Sequence, residues 1–288
     1  MQIPFFRPKD SYITCRDRDD GGGAQISARI STMILARMKG LGYAHSPVSE
    51  VAHAPAGLDD AAWSRTWEDF FNLGHGELPA AELEAKGYPL RTVKKPHRFF
   101  PRSGCLQVVA HCHKVTDRHP EAWAAIAPLL RERYFLTPKP GLGDYDDGRV
   151  QIAVHLRRGD VGSSGRFSER FTGDDVVLER LRRVIAAIGQ DRARVRLFSQ
   201  GAPESFSAFT TLGASLHLDD DVFETFHHFV RSDVLFLAKS TFSYLGGVIG
   251  GQTCIYEPFW HPKLPGWLSP EDLNGPRLTE AIASLAKG

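Results

Sequence analysis

The chain has no apolar run that reaches the ~18–20 residues of a membrane-spanning helix. Residues 1–20 lack the apolar core of a signal peptide and carry charges early, so no such leader is expected there. Net charge is scarce too: 35 basic residues face 34 acidic ones, leaving +1. That removes the global basic field on which nucleic-acid binding rests, and no nucleic-acid partner is expected. Cysteine is sparse. Cys15, Cys105, Cys112 and Cys254 are scattered with no C-x-x-C pair, which argues for reduced thiols and a cytoplasmic location rather than a disulfide framework. Internal repeats and low-complexity tracts are missing. These absences leave a globular protein that would meet a membrane only peripherally.

What is present fits that class. Hydrophobic residues make up 42% and charged residues 24% of 288, enough apolar material for two packed domains. The second half is the more regular. Residues 149–156 read as an apolar strand. Val177, Leu178, Leu181, Val184, Ile185 and Ile188 then recur at helical spacing, with Gly189 as a stop. Strands at 194–198, 215–218, 233–237 and 253–256 alternate with helices at 203–212, 222–230 and 242–249. This order predicts a parallel sheet with helical crossovers, a Rossmann-like unit over about 147–261. In the first half, a strand at 12–15, the Gly21-Gly22-Gly23 turn and a helix at 25–39 open a similar βα unit. Helices at 61–72 and 120–134 and a strand at 108–110 follow. Residues 136–148, rich in Pro, Gly and Asp, have linker composition. The expected domains are therefore 1–145 and 146–288.

His155-Leu156-Arg157-Arg158-Gly159-Asp160 lies where the first strand of the second half ends. Parallel α/β sheets bind ligands beyond the carboxyl ends of their strands. Two adjacent guanidiniums there suit a pyrophosphate, which they can grip bidentately. A nucleotide-sugar donor carries that group. Negative charge grows on its β-phosphate as the glycosidic bond breaks, and a fixed guanidinium stabilises that charge. The bland alternative is a surface arginine pair with a salt-bridged aspartate. Two further blocks weigh against it. An apolar strand runs into Ser240, Thr241 and Ser243, which open a helix whose N-terminal N–H groups and hydroxyls can hold phosphate. An ordinary N-cap needs the same residues. The Gly21–Gly23 turn is weaker, because it lacks the full G-x-G-x-x-G spacing.

Together these blocks resemble the α-1,2-fucosyltransferases and, more distantly, the α-1,6- and protein O-fucosyltransferases. The H-x-R-R-x-D of those enzymes is matched by His155 to Asp160, and the N-S-[ST]-F-S-W-W block of the α-1,2 group by residues 239–245. Their G-G-L-G-N-Q is echoed at 21–25, and the likeness spans roughly 21–259. The resemblance implies a GT-B-like α/β fold: two Rossmann-like domains whose parallel sheets face each other across a cleft, the first on the acceptor side. It implies GDP-fucose as co-substrate, a glycan or lipid-linked oligosaccharide as acceptor, inversion at the anomeric carbon, and no metal or other cofactor. Carried over by position, Arg157 binds the β-phosphate and Arg158 assists or positions the acceptor. The His155 backbone approaches the guanine, and Ser240, Thr241 and Ser243 face the phosphates. Gly22, Gly23 and Gln25 belong to the N-terminal loop. The guanine-side carboxylate has no match in register; Glu224 or Asp221 lies nearest. Ala24 and Lys239 stand where the family has asparagine, and Tyr244-Leu245 where it has a tryptophan pair. Inversion requires deprotonating the acceptor hydroxyl, which a carboxylate within hydrogen-bond reach can do. Glu169, the one carboxylate in the loop 161–173, and Asp160 are the candidates.

Other signals are set aside. Cys105, His111, Cys112, His113 and His119 are zinc-ligand types. On a strand, however, His111-Cys112-His113 would alternate between faces. Asp219-Asp220-Asp221 precedes a helix, where acidic residues suit the dipole. His227 and His228 read as core or surface. The competing functions are a transferase using another sugar nucleotide, a non-catalytic sugar-nucleotide or glycan-binding protein of the same fold, and a zinc hydrolase.

Overall fold

The computed structural model describes residues 10–18, 20–52, 54–55, 57–143, 145 and 147–285. Residues 1–9, on which much of the leader argument falls, and residues 144 and 146 of the linker lie outside the described residues. The chain divides into two compact α/β units, Met1–Pro138 and Lys139–Gly288. The division falls inside the Pro- and Gly-rich stretch 136–148, a little ahead of 145/146.

In the N-terminal unit, β1 (Ser11–Cys15), β2 (Gly42–His45), β3 (Leu78–Pro79), β4 (Leu90–Thr92) and β5 (Cys105–Val109) form one sheet in the order β3-β2-β1-β5-β4. Every neighbouring pair is parallel. The helix Gly22–Lys39 follows β1 and buries Ile26, Ile30, Met33 and Ile34. Its first residue has no room for a side chain: a Cβ on Gly22 would lie 2.2 Å from the Trp67 ring. Trp67 is presented by the helix Asp60–Phe71.

Three strands of this sheet, β2, β3 and β4, were not expected from the sequence. Their physical reason is plain. β2 reads Gly-Tyr-Ala-His, without alternation, β3 has two residues, and β4 is an edge strand whose Leu90 is exposed. Nothing in such segments separates them from loop.

In the C-terminal unit, β6 (Val150–His155), β7 (Ala193–Ser199), β8 (Ser215–Leu218), β9 (Val234–Phe236) and β10 (Thr253–Ile255) stand in the order β10-β9-β6-β7-β8. All are parallel. Side chains alternate across β6. Val150, Ile152 and Val154 join a core cluster with Leu181, Val184 and Ile188 of the helix Asp174–Ile188. His155 turns the other way, its ring centroid 5.1 Å from Phe229 on the helix Val222–Arg231. Helices therefore cover both faces, as they must in a buried parallel sheet. The helix expected over 203–212 is shorter: a 3-10 turn, Pro203–Phe206, leads into one helical turn, Ser207–Thr210. Burying Phe206 and Phe209, three residues apart, needs no more than that.

Candidate functional site

The chain leaves β6 for β7 and β8 on one side, then crosses to β9 and β10 on the other. The boundary between β6 and β9 is thus the topological switch point, where the loops after neighbouring strands diverge and leave a crevice. A concavity opens there. Its walls include His155, Arg157, Arg158, Arg170, Arg180 and Glu257. Four guanidiniums and one carboxylate make it strongly cationic.

The four arginines are held differently. Arg157 Nη2 donates to Asp160 Oδ2 at 2.7 Å, and both side chains are substantially exposed, 30% and 48%. Arg157 Nε is buried with no acceptor. Arg158 is engaged within the protein through three hydrogen bonds. It donates to the carbonyls of Arg157 and Thr172, each at 2.9 Å, and to the Asp174 carboxylate, and it stacks over the Phe171 ring at 4.3 Å. Arg180 pairs with the buried Glu257. Lys239 approaches the same carboxylate at 4.0 Å and donates to the Phe171 carbonyl at 3.3 Å. Gly159 has φ +76, a left-handed conformation that favours glycine, and a Cβ there would press on Gln200. That turn lets Asp160 reach back to Arg157.

His155 sits beneath the arginines. Burial pushes its pKa down, and Arg157 and Arg158 push it further, to about 3. It stays a neutral imidazole, with Nδ1 buried and lacking a partner.

The remaining expected residues are placed as follows. Ser240 caps the helix Thr241–Gly250, its hydroxyl accepting from the Phe242 N–H. Thr241 Oγ1 lies 3.1 Å from His261 Nε2. Ser243 is fully buried; its hydroxyl accepts from the Ala238 N–H at 3.2 Å and reaches the Ser240 carbonyl, so it braces the turn instead of facing a ligand. Glu169 is exposed, 3.7 Å from Arg170 Nε. Glu224 lies in the first turn of its helix, half-exposed and 4.0 Å from His228. Asp160, Glu169, Glu224, Ser240, Thr241 and Ser243 are not among the residues that line the concavity. Asp221 caps the helix Val222–Arg231 by accepting from the N–H groups of Phe223 and Glu224, at 2.9 and 3.0 Å. Arg170 and Arg180 were missed by sequence reasoning. The signal was there for Arg170, in the alternation of arginine and aromatic rings through Arg166-Phe167-Ser168-Glu169-Arg170-Phe171.

In the N-terminal unit, Gly22 and Gly23 open the first helix. Gln25 is buried, its amide donating to the carbonyls of Arg18 and of Glu50, the latter at 2.9 Å. The fully buried Arg29 donates to Asp17 at 2.6 Å and to the Ser46 and Pro47 carbonyls at 2.9 and 2.8 Å. This network orders the loops after β1 and β2.

The four cysteines are free and buried. Burial pushes the Cys112 thiol up to about 12. His111 and His113 stack at 4.4 Å, but among the described residues no group of three or more His, Cys, Asp or Glu side chains is arranged to hold a metal. No helix among those residues is long and apolar enough to cross a membrane.

No protein-family model matches the chain, and no curated protein matches it by sequence. Solved structures do. A NodZ α-1,6-fucosyltransferase soaked with GDP-fucose is similar at 12% identity and a TM-score of 0.42, over 88% of this chain and 97% of that one. The fucosyltransferase NodZ from Bradyrhizobium gives 12% identity and 0.39, with the same coverage of 88% and 97%. POFUT1 in complex with GDP gives 9% identity and 0.44, over 85% of this chain and 98% of that one.

Proposed function

We propose that this chain is a glycosyltransferase that draws its sugar from a nucleoside diphosphate donor, GDP-fucose. The sugar passes with inversion to a hydroxyl of a glycan or lipid-linked oligosaccharide, in the cytoplasm, in the building of a surface polysaccharide. The observation that carries this reading is the guanidinium-walled concavity at the β6/β9 switch point. The choice of guanine and fucose rests on the resemblance of residues 155–160 and 239–245 to the fucosyltransferase motifs.

In this reading the acceptor oxygen attacks the anomeric carbon, and the bond from that carbon to the β-phosphate oxygen breaks. The proton goes to a carboxylate, and the nucleoside diphosphate departs. Arg157 supplies the charge that the leaving phosphate needs. Its carboxylate partner is exposed and readily hydrated, so the guanidinium can exchange it for phosphate at little cost. Positive charge of this kind stands in for a metal. Asp160 and Glu169 remain the two base candidates.

A second reading is favoured by one fact: Glu257, the only carboxylate lining the concavity among the described residues, is already paired with Arg180. A chain lacking a base would bind the sugar nucleotide without transferring the sugar.

Thermal shift with GDP, UDP, dTDP and CMP tests the donor. GDP is expected to raise the melting temperature most, and the absence of any GDP effect would refute the assignment. Hydrolysis of GDP-fucose and transfer to a panel of galactosides then separate an enzyme from a binding protein.

A further inference from the structure

Arg170 lines the same concavity as Arg157. Its guanidinium packs over two rings, 4.6 Å from the centroid of Phe167 and 4.9 Å from that of Trp260. Trp260 is 45% exposed, which is unusual for so large an apolar side chain. The nearest carboxylate, Glu169, lies 3.7 Å from Nε, beyond hydrogen-bond range, and is itself 62% exposed. Arg170 Nε is buried without an acceptor, and the guanidinium donates no hydrogen bond among the described residues.

This is a costly resting state for an arginine. A buried N–H with no acceptor loses its hydration without compensation. The aromatic contacts offset part of that loss, because a guanidinium is attracted to ring faces. They occupy the faces of the cation and leave its in-plane N–H donors uncommitted. An anion entering the concavity is the acceptor they lack.

The contrast with the neighbours sharpens this. Arg158 is fixed by a carboxylate, two carbonyls and a ring, and Arg180 by the buried Glu257. Neither has comparable freedom. Arg157 and Arg170 share one signature: each lines the concavity, each has a buried Nε without an acceptor, and each has only a solvent-exposed carboxylate nearby.

We propose that Arg170 is the second guanidinium of the anion site and binds the diphosphate of a nucleoside diphosphate together with Arg157, a role the sequence motif had suggested for Arg158. The proposal rests on the reading of the concavity as a nucleoside-diphosphate site. Phe167 and Trp260 hold the Arg170 fork in place for the ligand.

Calorimetric titration with GDP, GMP and guanosine tests it, on the wild type and on Arg157→Ala, Arg170→Ala and Arg170→Lys. Arg170→Ala is expected to bind GDP about 10–100-fold more weakly, the effect of losing charge-assisted hydrogen bonds. Guanosine binding should change little, so the preference for GDP over guanosine collapses. Arg170→Lys keeps the charge without the fork and should fall between wild type and alanine; it also carries the test if the alanine variant fails to fold. GDP affinity unchanged in both Arg170 variants but lost in Arg157→Ala would overturn the role of Arg170 and leave the site standing. A wild type that binds none of the three ligands would overturn both.

Discussion

Arg157 and Arg158 are adjacent in sequence and opposite in what the structure asks of them, so their alanine variants should separate. The Arg158 side chain is only 14% exposed. Removing it strips a charge-assisted bond from Asp174, worth ~1.5–3 kcal/mol, and one bond from each of two carbonyls, ~1 kcal/mol apiece. The stacking on Phe171 adds ~0.5–1 kcal/mol. These contributions are not additive, and Asp174 can rehydrate at 38% exposure, so the expected loss is roughly 3 kcal/mol. For a unit of this size that lowers the melting temperature by ~6–12 °C. Arg157 has one exposed ion pair, worth ~0–1 kcal/mol, set against a buried N–H without an acceptor. Arg157→Ala should therefore melt within ~2 °C of the wild type while losing GDP-dependent stabilisation. Differential scanning fluorimetry with and without GDP, backed by urea unfolding, reads both quantities. Equal destabilisation by the two variants would refute the division of roles. So would an Arg158→Ala protein of wild-type stability that no longer binds GDP, since that would return Arg158 to the ligand.

Two further outcomes are expected. His155, His227 and His228 have pKa values lowered by burial to about 3, 4 and 3, so each is neutral in the fold and binds a proton more readily when unfolded, near 6.5. Their contribution is fully present above pH ~6.5 and is lost as pH falls towards the folded values, on the order of 2 kcal/mol from His155 alone at pH 5. A melting temperature that is flat between pH 7.5 and 5 would contradict this. Separately, Gly22→Ala should cost ~1–3 kcal/mol, because the new methyl group meets the Trp67 ring. An unchanged urea midpoint would show that the Trp67 ring yields to the methyl group without cost.

The C-terminal unit was largely legible because its segments carry strong periods. The Asp174–Ile188 helix has an apolar stripe that only a helix can bury on one side, and β6 to β10 are short apolar runs bounded by turns. The N-terminal sheet was half hidden, since β2, β3 and β4 are too short or too polar to carry a pattern. In the second unit, the motif follows β6, at the strand end where the concavity opens. It could not say which arginine would be used internally, because that depends on Asp174 and Phe171, residues whose approach to Arg158 is a matter of loop path. Ser243 shows the same limit. A hydroxyl three residues after an N-cap is on the helix surface by sequence count, yet here that surface faces the Ala238 N–H. Arg170 was passed over because its significance lies in bonds it does not make.

The strand order has a kinetic side. The concavity draws on the ends of β6 and β10, which are the first and last strands of the C-terminal sheet along the chain yet are separated in space by β9 alone. Arg157 and Glu257 thus come together only after the whole unit has closed on itself, and the entropy of that closure is already lost before a ligand can arrive. An anion that needs the complete concavity then stabilises the complete unit over every partly assembled form by mass action. Any ligand of that concavity is thereby linked to completion of the C-terminal fold.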